Sequence, residues 1–287
     1  MNLNVNPVVY GILFIVLAPI FGGLLAGIDR ITSARMQSRV GPPLLQPFYD
    51  LGKLLQKDAR QVNPVVEPLL LGHAALMAVT GAMLLGGTDL IFVAFVFALA
   101  ALFLVLAAGS VNSPYSFAGA ERELIVLLAS EPFFILMLAA ICKVSGASSY
   151  QGVLASPVWV AWQLPGVLLA FTFVATIKLR KSPFDISTSH HAHQELVSGL
   201  TSDMSGRLLA YVEMAHWYES AILAAFVVLF FNWSIPLGLL VFAIAYGAEV
   251  LVDNSTSRAK WQLVLRSTWA VTLLLVGGNV LALFLIK

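Results

Sequence analysis

The chain has 287 residues, 59% of them hydrophobic and only 11% charged, with a formal net charge of +1. A soluble domain carries about a quarter of its residues charged, so this composition excludes one and indicates an integral membrane protein. The single cysteine, Cys142, excludes an internal disulfide and any iron–sulfur cluster held by this chain alone, and the dispersed basic residues exclude a nucleic-acid surface.

Eight apolar runs, each close to the ~20 residues that cross the ~30 Å hydrocarbon layer, predict an all-α fold of about eight transmembrane helices. The runs are 7–28, 68–88, 90–109, 124–142, 160–177, 208–231, 234–252 and 265–286, and residues 1–287 form one polytopic domain. No basic segment precedes the first run and no small-residue cleavage site follows it, so it is expected to be a retained helix. Lys and Arg number 6 between runs one and two, 1 between three and four, 4 between five and six and 3 around the seven-to-eight connection, which is 14 of 16 on one side. The positive-inside rule then places both termini outside a multi-pass protein of the cell membrane, with the main loops, 29–67 and 182–207, in the cytoplasm.

In the first loop, Leu44, Leu45, Phe48, Leu51, Leu54 and Leu55 fall at helical spacing and predict an amphipathic helix, either at the membrane surface or packed on the other spans. Arg35 and Arg39 precede it beside Gly41-Pro42, and Asp50 and Lys53 lie on its polar side. These four are candidates for docking a charged partner or headgroups, although topology signalling explains the arginines equally well. His73, a lone histidine near the start of the second run, reads as a packing residue. Glu121 and Glu123, with Arg122, stand at the mouth of the fourth run and read as solvated helix-end charges, or otherwise as an interface or relay. Glu131 lies two turns inside that run, where an ionisable group is costly and marks function, and Pro132 adds a local kink. The uncharged 145–165 connection, with Trp159 and Trp162, suits an interfacial belt.

The polar chemistry concentrates between Ser182 and Ser220, which hold four of the five histidines. Asp185 sits in a turn, followed by His190, His191 and His193 and then Glu195. Three such histidines can ligate a metal, but no helical ligand spacing supports one, and a polar interface or relay loop is the preferred reading. In the sixth run Glu213, His216 and Glu219 recur every three residues on one helical face, a pattern expected of an ion or proton route. Glu249 in the seventh run, with Asp253 and Arg258 at its end, either extends that route or pairs internally.

The residues Gln37-x-Arg39-x-Gly41-Pro42, Leu45-Gln46-Pro47, Pro183-Phe184-Asp185 and Glu195-Leu196-Val197-Ser198-Gly199 resemble the eight-helix, quinone-site subunit of respiratory complex I. In that resemblance the family's glutamate in span four falls on Glu131, and its acidic residue before a Ser-Gly turn falls on Asp203, ahead of Ser205-Gly206. The loop after Asp185 departs from the pattern, with histidines where the family has acidic residues, and a family glutamate in span six falls on His216. With the run Ala215-His216-Trp217-Tyr218-Glu219, this version is similar to the homologous membrane subunit of energy-converting NiFe hydrogenases. The resemblance implies a non-catalytic anchor that binds no cofactor itself. Its partners would be hydrogenase large and small subunits and a ferredoxin-like iron–sulfur subunit, which carry the NiFe centre and clusters, and antiporter-like membrane subunits that move H+ or Na+. A quinone-site subunit of a complex I NADH dehydrogenase and a stand-alone ion transporter are the alternatives.

Overall fold

The computed structural model describes residues 7–58, 63–187 and 198–285. His190, His191, His193 and Glu195 lie outside the described residues. In chain order the helices are α1 (Pro7–Met36), α2 (Gln46–Gln56), α3 (Val66–Leu85), α4 (Leu90–Gly109), α5 (Pro114–Ser145) and α6 (Tyr150–Ala155). They continue with α7 (Val160–Gln163), α8 (Pro165–Lys178), α9 (Arg207–Phe230), α10 (Ile235–Ser255), α11 (Trp261–Val271) and α12 (Gly278–Leu285). Among the described residues there is no strand, and a single isolated bridge joins Asp89 and Ser149. The protein is an all-α integral membrane protein.

Among the described residues seven helices are long and apolar enough to cross a membrane, the last of them the continuous Trp261–Leu283 segment, in which a π-helical stretch, Thr272–Gly277, joins α11 to α12. The fifth predicted run, 160–177, is instead broken into α7 and α8. Pro165 has no N–H to give and disfavours helical backbone in the residue before it, and Leu164 accordingly sits at φ −120°, ψ 47°. The 14-residue α8 is therefore about 21 Å long, short of a full crossing.

α9 is the axis of the bundle. Its apolar window is 72% buried, against 28% for α1 and 22% for the final span. Apolar side chains gain little by leaving lipid, so close packing has to hold such helices together. Here Phe97 of α4 meets Phe134 of α5 at 5.5 Å and Phe226 of α9 at 6.2 Å, both edge-on, and all three rings are fully buried.

The connections segregate to the two ends as the charge count predicts. At one end Arg207 pairs with Glu67, Asn63 Nδ2 donates to the Ser110 carbonyl, Ser116 reaches Asp203, and the Ala259 N–H donates to the Pro183 carbonyl. At the other, Gln151 donates to the Leu85 carbonyl, and Asn232 Nδ2 donates to the Val153, Ser156 and Val158 carbonyls. Helix α2 is packed: Pro47 is buried, and the Phe48 ring lies 5.1 Å from that of Trp217 on α9.

At Gly22, α1 approaches α9 so closely that a Cβ would stand 2.5 Å from the Trp217 Cα and carbonyl oxygen. Both are backbone atoms, so the helices themselves would have to part. Gly22→Ala is expected to cost about 1–3 kcal/mol, read as a lower unfolding midpoint of the detergent-solubilised protein. Gly52→Ala in α2, where a Cβ meets nothing within 4 Å, is the control and should be neutral or stabilising by about 0.5–1 kcal/mol.

Candidate functional site

The end of α8 reads Ile177-Lys178-Leu179-Arg180-Lys181, and its geometry organises the charged end of the molecule. The helix stops at Lys178, and Arg180 adopts a left-handed backbone, φ +52°, which costs a non-glycine residue about 1–3 kcal/mol and persists only where surrounding contacts impose it. That turn sends three cations in three directions. Lys178 Nζ pairs with Glu131 of α5 at 2.5 Å. Arg180 bridges two helices, with Nη2 2.9 Å from Glu123 of α5 and Nη1 3.3 Å from Glu219 of α9. Lys181 pairs with Asp29 of α1 and lies 3.5 Å from Asp253 of α10.

Secondary contacts fix the arrangement. Ser187 Oγ donates to the other oxygen of Glu123, and the Ser182 N–H donates to Asp253 at 2.8 Å. The Lys178 ammonium lies 4.8 Å from the centre of the Phe97 ring and 5.4 Å from that of Phe134, a cation–π contact inside the aromatic core. Lys178, Lys181, Glu123 and Glu219 are all buried. Such charges tolerate burial only when paired, and they are.

Several expected residues meet in this cluster. Glu131 and Glu219 face it from α5 and α9, and Asp185 pairs with Arg258 just beyond it. His216 and Glu213 occupy the same face of α9 about one and two turns nearer the charged end, both half-buried. Glu249 is buried on α10, apart from the Arg180 group, and lines a small cleft with Leu168, Phe171 and Tyr246. Asp203 is exposed. The Ser116 hydroxyl foremost, with those of Ser113 and Ser202, holds its carboxyl below the usual carboxylate range against slight desolvation.

Of the two readings of Glu121 and Glu123, solvated charges or an interface or relay, the solvated one holds for Glu121 and not for Glu123. Glu121 is exposed, but Glu123 is 5% exposed and central to the cluster, because α5 begins ten residues before the predicted run and the 182–187 turn covers it. The basic residues Lys178, Arg180 and Lys181 were legible only as topology charges; three cations in four positions at the end of a span with a short helix was the available signal. Of the docking candidates, Arg35, Arg39 and Lys53 are exposed at the same end. Asp50 accepts from Arg30 at 2.6 Å and Gln46 at 2.8 Å. Slight burial opposes its charge, but these bonds and the nearby Arg30 and Lys53 charges outweigh it and hold its carboxyl low. Among the described residues no group of three or more His, Cys, Asp or Glu side chains could hold a metal ion.

The family model described as NADH dehydrogenase matches residues 9–284. Hydrogenase-4 component C of Escherichia coli (strain K12) is 27% identical over 290 residues, covering 90% of this chain and 89% of the relative. Formate hydrogenlyase subunit 4 of the same organism is 28% identical over 296 residues, covering 92% and 94%. Among solved structures, a chain of the membrane-bound sulfane sulfur reductase, an archaeal respiratory membrane complex, shares the fold with a TM-score of 0.82 at 21% identity, over 97% of this chain and 99% of that one.

Removing the central cation tests the pairing directly. Arg180→Met leaves Glu123 and Glu219 buried without their counter-charge and should cost about 3–5 kcal/mol, seen as a large drop in the unfolding midpoint in detergent. Arg180→Lys keeps one charge without the two-pronged reach and should fall between that variant and the parent protein. Equal midpoints for all three proteins would mean that the bridge is not made.

Proposed function

Because the chain belongs to the NADH dehydrogenase family, that of complex I subunit 1, we propose that it is the membrane subunit of an energy-converting hydrogenase complex. It is not catalytic on its own. In this reading the charged end faces the cytoplasm, both termini are external, and the cytoplasmic loops dock hydrogenase large and small subunits and a ferredoxin-like iron–sulfur subunit. Those partners carry the NiFe centre and clusters, and antiporter-like subunits lie beside the bundle in the membrane. The Escherichia coli relatives, named for a hydrogenase and for formate hydrogenlyase, support the hydrogenase class, and the distribution of Lys and Arg supports the orientation.

The observation that carries the coupling role is the set of five carboxylates, Asp29, Glu123, Glu131, Glu219 and Asp253, gathered around three cations in an apolar bundle. Ionisable groups are retained inside a membrane at a cost, and ion or proton routes are their usual use. Arg180, shared between Glu123 and Glu219, can redistribute its charge between them with little movement. At ~4 Å and an effective dielectric of ~20, one such contact carries about 4 kcal/mol of Coulomb energy, so electron arrival in a docked module can shift the balance. Glu131, Asp185, Glu195, Asp203, Glu213, His216, Glu219 and Glu249 are the proposed members of the charge route, with H+ or Na+ as the ion moved.

The family description favours a second reading, a quinone-site subunit of an NADH dehydrogenase. The two separate by metal content. Purified through a tag on this chain, the complex should hold nickel together with iron and evolve hydrogen; iron without nickel, with quinone reduction, would select the second.

Coupling has its own test. Glu219→Gln keeps the shape and removes the charge, so ions taken up per hydrogen evolved in reconstituted vesicles should drop several-fold, a loss of about 1–2 kcal/mol of coupling. An unchanged ratio in the double variant Glu131→Gln/Glu219→Gln would make these side chains purely structural.

A further inference from the structure

Three polar atoms around the Arg180 cluster are buried without a hydrogen-bond partner among the described residues: His73 Nε2, Arg180 Nε and Glu131 Oε2. Buried polar groups left unsatisfied are rare and costly, and these three lie around the same set of ion pairs. Their chemistry is complementary. His73, on α3, is 1% exposed, and its Nδ1 lies 2.7 Å from the Ala100 carbonyl oxygen of α4. A carbonyl only accepts, so Nδ1 carries the ring proton, and Nε2 of the neutral ring presents a lone pair. Arg180 Nε is a donor that cannot accept, and the free oxygen of the Glu131 carboxylate accepts.

The imidazole shares the surroundings of the ion pairs. The charged groups that act on it are Arg180, Glu123 and Lys178. Ala100, which takes its proton bond, is one helical turn beyond Phe97, and the Phe97 ring lies 4.8 Å from the Lys178 ammonium that pairs with Glu131. One donor and two acceptors, all fixed from other directions, match the bonding capacity of water, which can accept from Arg180 Nε and donate to the other two.

We propose that His73 is a positioning residue of the charge route, holding ordered water between its Nε2, Arg180 Nε and Glu131 Oε2. That water joins the Lys178–Glu131 pair to the Glu123–Arg180–Glu219 bridge as one hydrogen-bonded line. The water site rests on the orphaned groups and on the contacts that place them around the same ion pairs, whereas its use in coupling rests on the function proposed above.

The test is a cryo-EM map of the purified complex, at a resolution that shows ordered water, for the natural protein, His73→Gln and His73→Leu. Density within hydrogen-bonding reach of all three atoms is expected in the natural protein, retained in His73→Gln, whose amide oxygen also accepts, and lost in His73→Leu. In vesicles, ion uptake at matched hydrogen evolution should fall about tenfold in His73→Leu and recover to within about twofold in His73→Gln, as expected when one positioned acceptor is removed and restored. Absence of density in the natural protein, or uptake in His73→Leu equal to that of the natural protein, overturns the proposal. If His73→Leu does not assemble, the natural and glutamine maps decide it. A complex that holds the water yet moves no ion supports the site and overturns the coupling reading.

Discussion

Everything at the charged end of this molecule depends on one turn, in which Lys178, Arg180 and Lys181 leave the end of a short helix toward three different walls. Each cation is tolerable inside the bundle only because carboxylates meet it, and each carboxylate only because the cations arrive. The pairing therefore does two things at once. It ties α1, α5, α9 and α10 together where hydrocarbon offers no other strong attraction, and it gathers eight ionisable groups into one contiguous region.

That economy constrains how the site can change. The aromatic core under Lys178 is close-packed and resists gradual deformation, while Arg180 has two acceptors at unequal distances, 2.9 and 3.3 Å. A perturbation from the loops thus finds its easiest response in a redistribution of hydrogen bonds around one guanidinium, with the helices staying in place. The left-handed backbone at Arg180 belongs to the same picture, since neighbouring contacts must hold a conformation the residue would not choose by itself.

Much of the frame was legible in the sequence because hydropathy and basic-residue counts act through single helices and single loops. Seven spans, and which connections meet at the same end of the bundle, follow from them. Glu131 and Glu219 could be singled out for the same reason, as an ionisable group inside an apolar helix needs no knowledge of its neighbours to look expensive. Lys178, Arg180 and Lys181 could not be separated from ordinary topology charges, because a basic residue at a span end looks alike whether it faces headgroups or a buried carboxylate. The solvated reading of Glu123 fails because of the turn that covers it, which leaves the relay or interface reading. The break before α8 was written in Pro165, but an unbroken apolar run hid it. His73 looked like packing, and only the convergence of α4, α5 and α8 shows what surrounds it.

The depth of the cluster carries one more consequence. Glu131 lies 14 residues before the C-terminal end of α5 and Glu219 11 residues before that of α9, so about 21 and 17 Å of helix separate them from the far surface. Charges at that depth sit well inside the electric field of an energised membrane. A full crossing is worth about 2.3 kcal/mol per elementary charge at 100 mV, so over half the thickness the field acts on these side chains with about 1 kcal/mol. A voltage built across the bilayer thus leans on the same ion pairs that knit the bundle together.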